Sequence, residues 1–262
     1  MSTTLVIARN TISEALRRKI LNAFLLVGVA MIVLTFAFQA FQPRQELTLI
    51  KGMGLGIISL AGILISVILS INLIPTEIER RTIYTILSKP VRRYEFLLGK
   101  WGGAVGTVFI NVLLMTVVFV AAVAVKQIIG QQPLDAFALF KGALMTYMQL
   151  FLLCSLAIFL SIFTTPLINF FLTLSLFILG NLSSFIQDLA KNSTNIVLKG
   201  IFTAVHYLVP NFGNFQYSNP LLNPGVQVNS EALFLIQNVV YAVVYSAVLL
   251  ILAVLAFDRR EV

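Results

Sequence analysis

The sequence predicts an all-α integral membrane protein with six transmembrane helices. Three observations carry that reading. Apolar residues make up 59% of the 262-residue chain and charged residues 11%, against about 45–50% and about 25% in soluble domains. Six stretches reach the roughly 20 apolar residues that a spanning helix needs. The few basic residues gather at the ends of those stretches. Such a chain cannot cover its surface with water-compatible side chains, and its mean hydropathy of +0.96 excludes disorder. Cys154 is the single cysteine, which rules out a disulfide framework. The apolar runs do not alternate, so a β-barrel is excluded as well.

Residues Thr3–Lys19 place Leu5, Ala8, Ile12, Leu16 and Ile20 on one helical face, with Arg9, Glu14, Arg17 and Arg18 elsewhere. This spacing predicts an amphipathic helix lying on the membrane. Span one, Ile20–Gln39, follows Arg17, Arg18 and Lys19 but is too long for a signal peptide and lacks a small-x-small cleavage site, so it reads as a retained anchor. Span two, Gly52–Ile74, carries Gly62, Ser66 and Ser70 at four-residue spacing. Span three, Trp101–Val125, is led in by Gly99/Gly103 and Gly102/Gly106 at the same spacing. Small residues let backbones approach closely, either within the chain, between two copies or around a central cavity. Span four, Gly142–Phe163, holds Met145, Met148 and Cys154. Soft sulfur suits Cu(I), but ordinary packing explains these residues better. Thr164-Thr165-Pro166 is a tight turn with proline at a helix start, and span five, Pro166–Ile186, follows it. The outer segment Gln187–Ser230 is long for a connector. Leu189–Val209 is helix-compatible, and Tyr207, Phe212, Phe215 and Tyr217 suggest an interfacial belt beside a lone His206. Span six is Ala232–Phe257.

Six spans put both termini on one side. Twelve basic residues fall there: Arg9, Arg17, Arg18 and Lys19; Arg80, Arg81, Lys89, Arg92, Arg93 and Lys100; Arg259 and Arg260. Six fall on the other. The positive-inside rule then places both termini in the cytoplasm of a multi-pass cell-membrane protein. The net charge of +8 is thus a topological signal with some lipid contact, not a nucleic-acid footprint. No Asp, Glu, Lys or Arg lies mid-span, which argues against a secondary carrier or a charge-lined channel. The chain has no phosphate-binding Gly-x-x-x-x-Gly-Lys-[Ser/Thr] loop, no metal-ligand spacing and no nucleophile elbow. It reads as a single membrane domain over 1–262, without enzymatic activity or cofactor of its own. Energy for uphill transport must come from another polypeptide.

The segment Pro75–Lys100 concentrates six basic and three acidic residues. Thr76 is placed to cap a helix, with Glu77 and Glu79 favoured in its first turn. Ile78, Ile83, Ile86 and Leu87 give that helix an apolar side. Ser88-Lys89-Pro90 breaks it, and a second helix can restart at Pro90 and run into span three. Two readings stand: an element that docks into a groove on a cytoplasmic protein, or an amphipathic loop that only anchors to headgroups. The amides in or near spans (Asn72, Asn111, Gln149, Asn169, Asn181, Asn238) must face protein or water. Hydrogen bonding between helices is the ordinary role. Asn72, Asn169 and Asn181 are the candidates for cargo contact.

The string Glu79-Arg80-Arg81-Thr82, Leu87-Ser88-Lys89-Pro90-Val91, Arg93 and Phe96-Leu97-Leu98-Gly99-Lys100 resembles the permease subunits of ABC transporters of the type-two exporter class. The nearest subgroup is the small permeases grouped with multi-copper-enzyme maturation systems. Arg81 departs from the pattern, in which many members carry glycine. The resemblance implies a full transporter of two permease copies, expected as a homodimer, and two cytoplasmic ATP-binding cassette subunits. It makes Ile78–Arg93 a coupling helix: Glu79 would fix a helix junction, and Arg80, Arg92 and Arg93 would meet acidic groups on the ATPase. Ile78, Arg81, Thr82, Ser88 and Pro90 complete that expected contact. The N-terminal helix would touch the ATPase or serve only as an anchor, and a re-entrant helix pair would form an outer lid. The resemblance implies export. The competing function is a membrane scaffold that recruits a cytoplasmic partner without moving anything.

Overall fold

A backbone inside hydrocarbon must satisfy its own hydrogen bonds, and a helix does so within one segment. The computed structural model describes residues 3–37, 46–79, 92–129, 136–193, 195–215 and 230–259, and every regular element among them is helical. In chain order these are α1 (Thr3–Leu16), α2 (Lys19–Ala37), α3 (Glu46–Asn72), α4 (Pro75–Glu79), α5 (Arg93–Ile129), α6 (Ala136–Ser161), α7 (Pro166–Asn181), α8 (Ser183–Asn192), α9 (Ile196–Leu208), a 3-10 turn at Gly213–Phe215, and α10 (Glu231–Arg259).

Four runs are long and apolar enough to cross a membrane: Ile50–Glu77, Arg93–Val125, Ala136–Ser161 and Glu231–Arg259. The pair α7 and α8, bent by 63°, makes a fifth if counted as one span, and Leu21–Leu34 within α2 is a shorter apolar helix. The chain is therefore a multi-pass membrane protein. The observed helices overrun the apolar stretches at several ends. With 37 residues, α5 extends for about 55 Å at 1.5 Å per residue, well past the hydrocarbon on at least one side. It begins at Arg93, not at Pro90. The expected fifth span is not continuous to Ile186. It stops at Asn181, and Leu182 (φ −90°, ψ 11°) turns the chain into α8. Nor is Leu189–Val209 one helix. The chain leaves the helix after Asn192, and the Asn195 side chain accepts from the Val197 N–H at 3.0 Å to start α9.

The most buried helices are α3 and α6. α6 is central, touching α3, α5, α7 and α10. The small side chains Ala242, Ser246 and Ala253 lie on the buried face of α10. The opposite face, including Ile236, Val240, Val244, Val248 and Ile251, is exposed, as a lipid-facing surface requires. On α5, the Trp101 indole N–H donates to Ser155 Oγ of α6 at 2.9 Å, and that hydroxyl donates to the Phe151 carbonyl at 3.0 Å.

The lead-in glycines of span three receive α1. A Cβ on Gly99 would lie 2.7 Å from Ile7 Cβ, one on Gly103 would overlap the Thr11 side chain, and one on Gly106 would lie 2.9 Å from Ile12 Cδ1. Thus α1 is packed on the protein through Thr4, Ile7, Ala8, Thr11 and Ala15, a face that winds away from the Leu5/Leu16 stripe. Leu5 and Leu16 are exposed. The expected amphipathic helix is present, but its buried face is chosen by the glycine notches and includes threonines. At Gly102 the same construction meets only Ala8 Cβ, at 3.8 Å. Gly103→Ala should therefore lose about 1–3 kcal/mol through overpacking, seen as earlier proteolytic release of the N-terminal segment. Gly102→Ala should hold or gain up to about 1 kcal/mol from helix propensity. Equal behaviour of the two variants would refute the seat.

Candidate functional site

One end of the bundle gathers the ends of α1, α3, α4, α5 and α10. At the end of α3, the Asn72 amide donates to the Ile68 carbonyl at 3.0 Å, and the Thr76 hydroxyl donates to the Asn72 carbonyl. Thr76 therefore does not cap α4 as expected. The helix starts two residues earlier than that cap would give, at Pro75, whose missing N–H is no loss in a first turn. Glu77 does take its place in that first turn, where a helix dipole favours an acid. Leu73, Ile74 and Pro75 are buried, so the turn after α3 is packed into the body.

Glu77 reaches across to α5. Its carboxylate lies 2.7 Å from Lys100 Nζ, with side-chain exposures of 19% and 8%. That places a largely buried ion pair between the chain just before residue 80 and the helix that begins just after residue 91. The ammonium also lies 5.8 Å from the centroid of the Phe96 ring. A cavity of about 450 Å³ opens beside it, lined by Glu14, Arg18, Asn72, Thr76, Glu77 and Lys100 among others.

The start of α5 is fixed separately. The Arg92 N–H donates to Glu95 Oε2 at 3.1 Å, one half of a capping box. Arg93 Nη1 donates to the carbonyls of Phe257 at 3.1 Å and Asp258 at 3.3 Å. These belong to the last turn of α10, whose carbonyls have no partners within the helix. Phe96 and Phe257 stack beneath, 6.3 Å between centroids. The Arg92 side chain is exposed, with Nη1 3.4 Å from the Tyr94 hydroxyl.

Of the residues singled out in sequence for partner contact, Arg92 and Arg93 are thus located: one points out, the other is tied to α10. Ile78 and Glu79 close α4, and their side chains lie outside the described residues. Arg80, Arg81, Thr82, Ser88 and Pro90 lie outside the described residues altogether. The three candidate asparagines are spread over the bundle. Asn72 lines the cavity just described. Asn169 is fully buried, donating to the Ala157 carbonyl of α6 at 3.0 Å and accepting from Thr173 at 2.9 Å. Asn181, at the far end of α7, donates to the Phe177 carbonyl at 2.8 Å and faces the Gln149 amide at 3.4 Å.

Asn181 belongs to a second polar group that sequence spacing did not assemble. Gln149 donates to the Phe212 carbonyl at 3.1 Å, the Asn211 N–H donates to the Tyr241 hydroxyl at 2.8 Å, and the Tyr245 hydroxyl donates to the Leu208 carbonyl at 2.9 Å. Gly180 lets the Pro210 carbonyl come within a distance that any Cβ would forbid. Gln149 is 13 residues from Ala136 and 12 from Ser161. The strap 208–215 therefore sits about 20 Å along α6, near its midpoint. His206 Nδ1 and Ser183 Oγ, 2.8 Å apart, clasp α9 to the start of α8. The one sequence sign of the Glu77–Lys100 pair was a lysine directly adjoining a long apolar run.

The model of the family described as "ABC-2 family transporter protein" matches residues 4–262. No curated protein matches the chain.

Removing one partner of a largely buried ion pair leaves the other charge less well compensated. Lys100→Met should cost about 3 kcal/mol, measured as a lowered melting temperature in detergent. Adding Glu77→Gln should restore part of that loss. A Lys100→Met protein that melts with the wild type would show that the pair carries no stability.

Proposed function

The chain belongs to the ABC-2 transporter family, and from that membership we propose that it is a permease that drives cargo across the membrane with energy from a separate ATP-binding cassette subunit. As a family, ABC-2 permeases associate with such subunits. The observation that carries the coupling role is the double tie around residues 80–91. Glu77 joins the chain before that segment to Lys100 of α5, and Arg93 after it holds the end of α10. A push on the segment loads α3, α5 and α10 together, because a buried ion pair and charge-assisted hydrogen bonds are stiff connections. The exposed Arg92 is the described cation best placed to meet an acidic groove on the ATPase. Arg80 and Arg81 extend the same charge in sequence.

In this reading the six stretches are six spans with cytoplasmic termini, and two copies form the pathway. The direction is export. The strap held by Gln149, Tyr241 and Tyr245 supports a barrier at mid-depth, which one-sided access requires. Asn72, on the helix that adjoins the coupling segment, is the leading candidate among the three asparagines for a group that senses cargo. Spans without ionisable centres suit apolar or amphipathic cargo. Residues 79–100 most resemble the small permeases grouped with multi-copper-enzyme maturation systems.

Arg92→Glu should reduce ATP turnover of the co-purified complex about tenfold while the chain alone melts unchanged. A retained complex with unchanged turnover would remove the coupling role and leave a scaffold. Orientation has a separate check. Lys89→Cys in a Cys154→Ala background should stay unlabelled by an impermeant maleimide in intact cells and label after permeabilisation. Labelling from outside would invert the topology.

A further inference from the structure

The elbow between α1 and α2 opens onto two adjoining cavities. The first is the polar cavity beside Glu77 and Lys100, about 450 Å³. The second, about 290 Å³, is lined by Arg18, Lys19, Leu21, Ile68, Leu69 and Asn72. They share Arg18 and Asn72, so they form one groove along the end of α3. It is polar and charged at one end and largely apolar at the other.

Among the described residues, the charges that line this groove do not cancel. Arg18 is paired with Glu14 at 2.7 Å, and Lys100 with Glu77 at 2.7 Å. Lys19 is exposed and has no ion pair among the described residues. Among the described residues one positive charge is therefore in excess, located where the polar and apolar parts meet. An occupant that complements both parts has one negative charge next to a hydrocarbon tail. Free phosphate lacks the tail, and a zwitterionic lipid lacks the net charge.

We propose that this groove binds one anionic phospholipid of the leaflet in which α1 lies, with its phosphate against Arg18 and Lys19 and an acyl chain along Leu21, Ile68 and Leu69. The lipid would bridge the α1–α2 elbow to the end of α3. The basic side chains can meet the phosphate from the interface while their stems lie along apolar surface. The proposal is independent of whether the chain couples to an ATPase.

The test uses the full chain in nanodiscs of phosphatidylcholine, alone or mixed with phosphatidylglycerol. Lipid retention is read by native mass spectrometry and stability by thermal melting. Wild type should retain phosphatidylglycerol in preference to phosphatidylcholine and melt higher with it. Each basic side chain near an anionic headgroup contributes about fivefold, so Arg18→Gln with Lys19→Gln should weaken retention about twenty-five-fold. Arg9→Gln with Arg17→Gln removes the same charge outside the groove and should leave retention unchanged. Ile68→Trp fills the apolar part and should abolish it. Should the Arg18/Lys19 variant fail to fold, the wild-type lipid comparison and Ile68→Trp decide the matter. Equal retention of the two lipids by wild type, wild-type retention in either groove variant, or equal stabilisation by inorganic phosphate would overturn the proposal.

Discussion

Hydrocarbon offers no partner to a peptide N–H or a carboxamide, and that constraint orders most of this structure. Asn72, Asn111, Asn181 and Asn238 each donate to the carbonyl four residues back, at 2.8–3.0 Å. Thr107, Thr116 and Thr146 do the same with their hydroxyls. A polar residue can therefore sit in a span without a neighbour to serve it. Where the chain stops being helical inside the bundle, this local solution fails. There Gln149, Tyr241 and Tyr245, from two different helices, supply the missing partners to residues 208–212. Within that stretch Pro210 and Phe212 are buried, and Gln149 serves the Phe212 carbonyl there.

Small residues serve a second constraint. Lipid tails are as apolar as leucine, so helices in a bilayer associate by close fit and not by escape from solvent. Gly99, Gly103 and Gly106 form the notch for α1, and Gly62 admits Leu150 of α6 against α3. By contrast, a Cβ on Gly56 would meet nothing within 4 Å. It lines an open apolar groove between α2 and α3 with Gly28, Met31 and Leu60. The same residue type therefore marks a filled contact at one turn and an open surface two turns earlier.

Much of the helical layout was legible from apolar run length, because that length is imposed by the bilayer itself. Helix ends were less legible. Glu46 and Arg93 start helices six and eight residues before the apolar runs begin, since a helix continues through polar residues outside the hydrocarbon. The break at Leu182 left no sign in hydropathy. Beside it Gly180 leaves room for the Pro210 carbonyl, a contact between residues thirty positions apart. The candidate site was partly legible. Charge density pointed to 75–100, but the pairing of Glu77 with Lys100 and the hold of Arg93 on α10 are tertiary facts. No spacing rule joins residue 93 to residue 257.

The seating of α1 on α5 also fixes an order in time. Thr11 is made 92 residues before Gly103, the glycine that receives it. At about 5–20 residues per second this separation lasts roughly five to twenty seconds. During that interval α1 has its amphipathic surface but no notch to occupy. Leu5 and Leu16, still exposed in the finished fold, take no part in that docking. The docked face of α1 thus gains its contacts only after the glycines of α5 have been made.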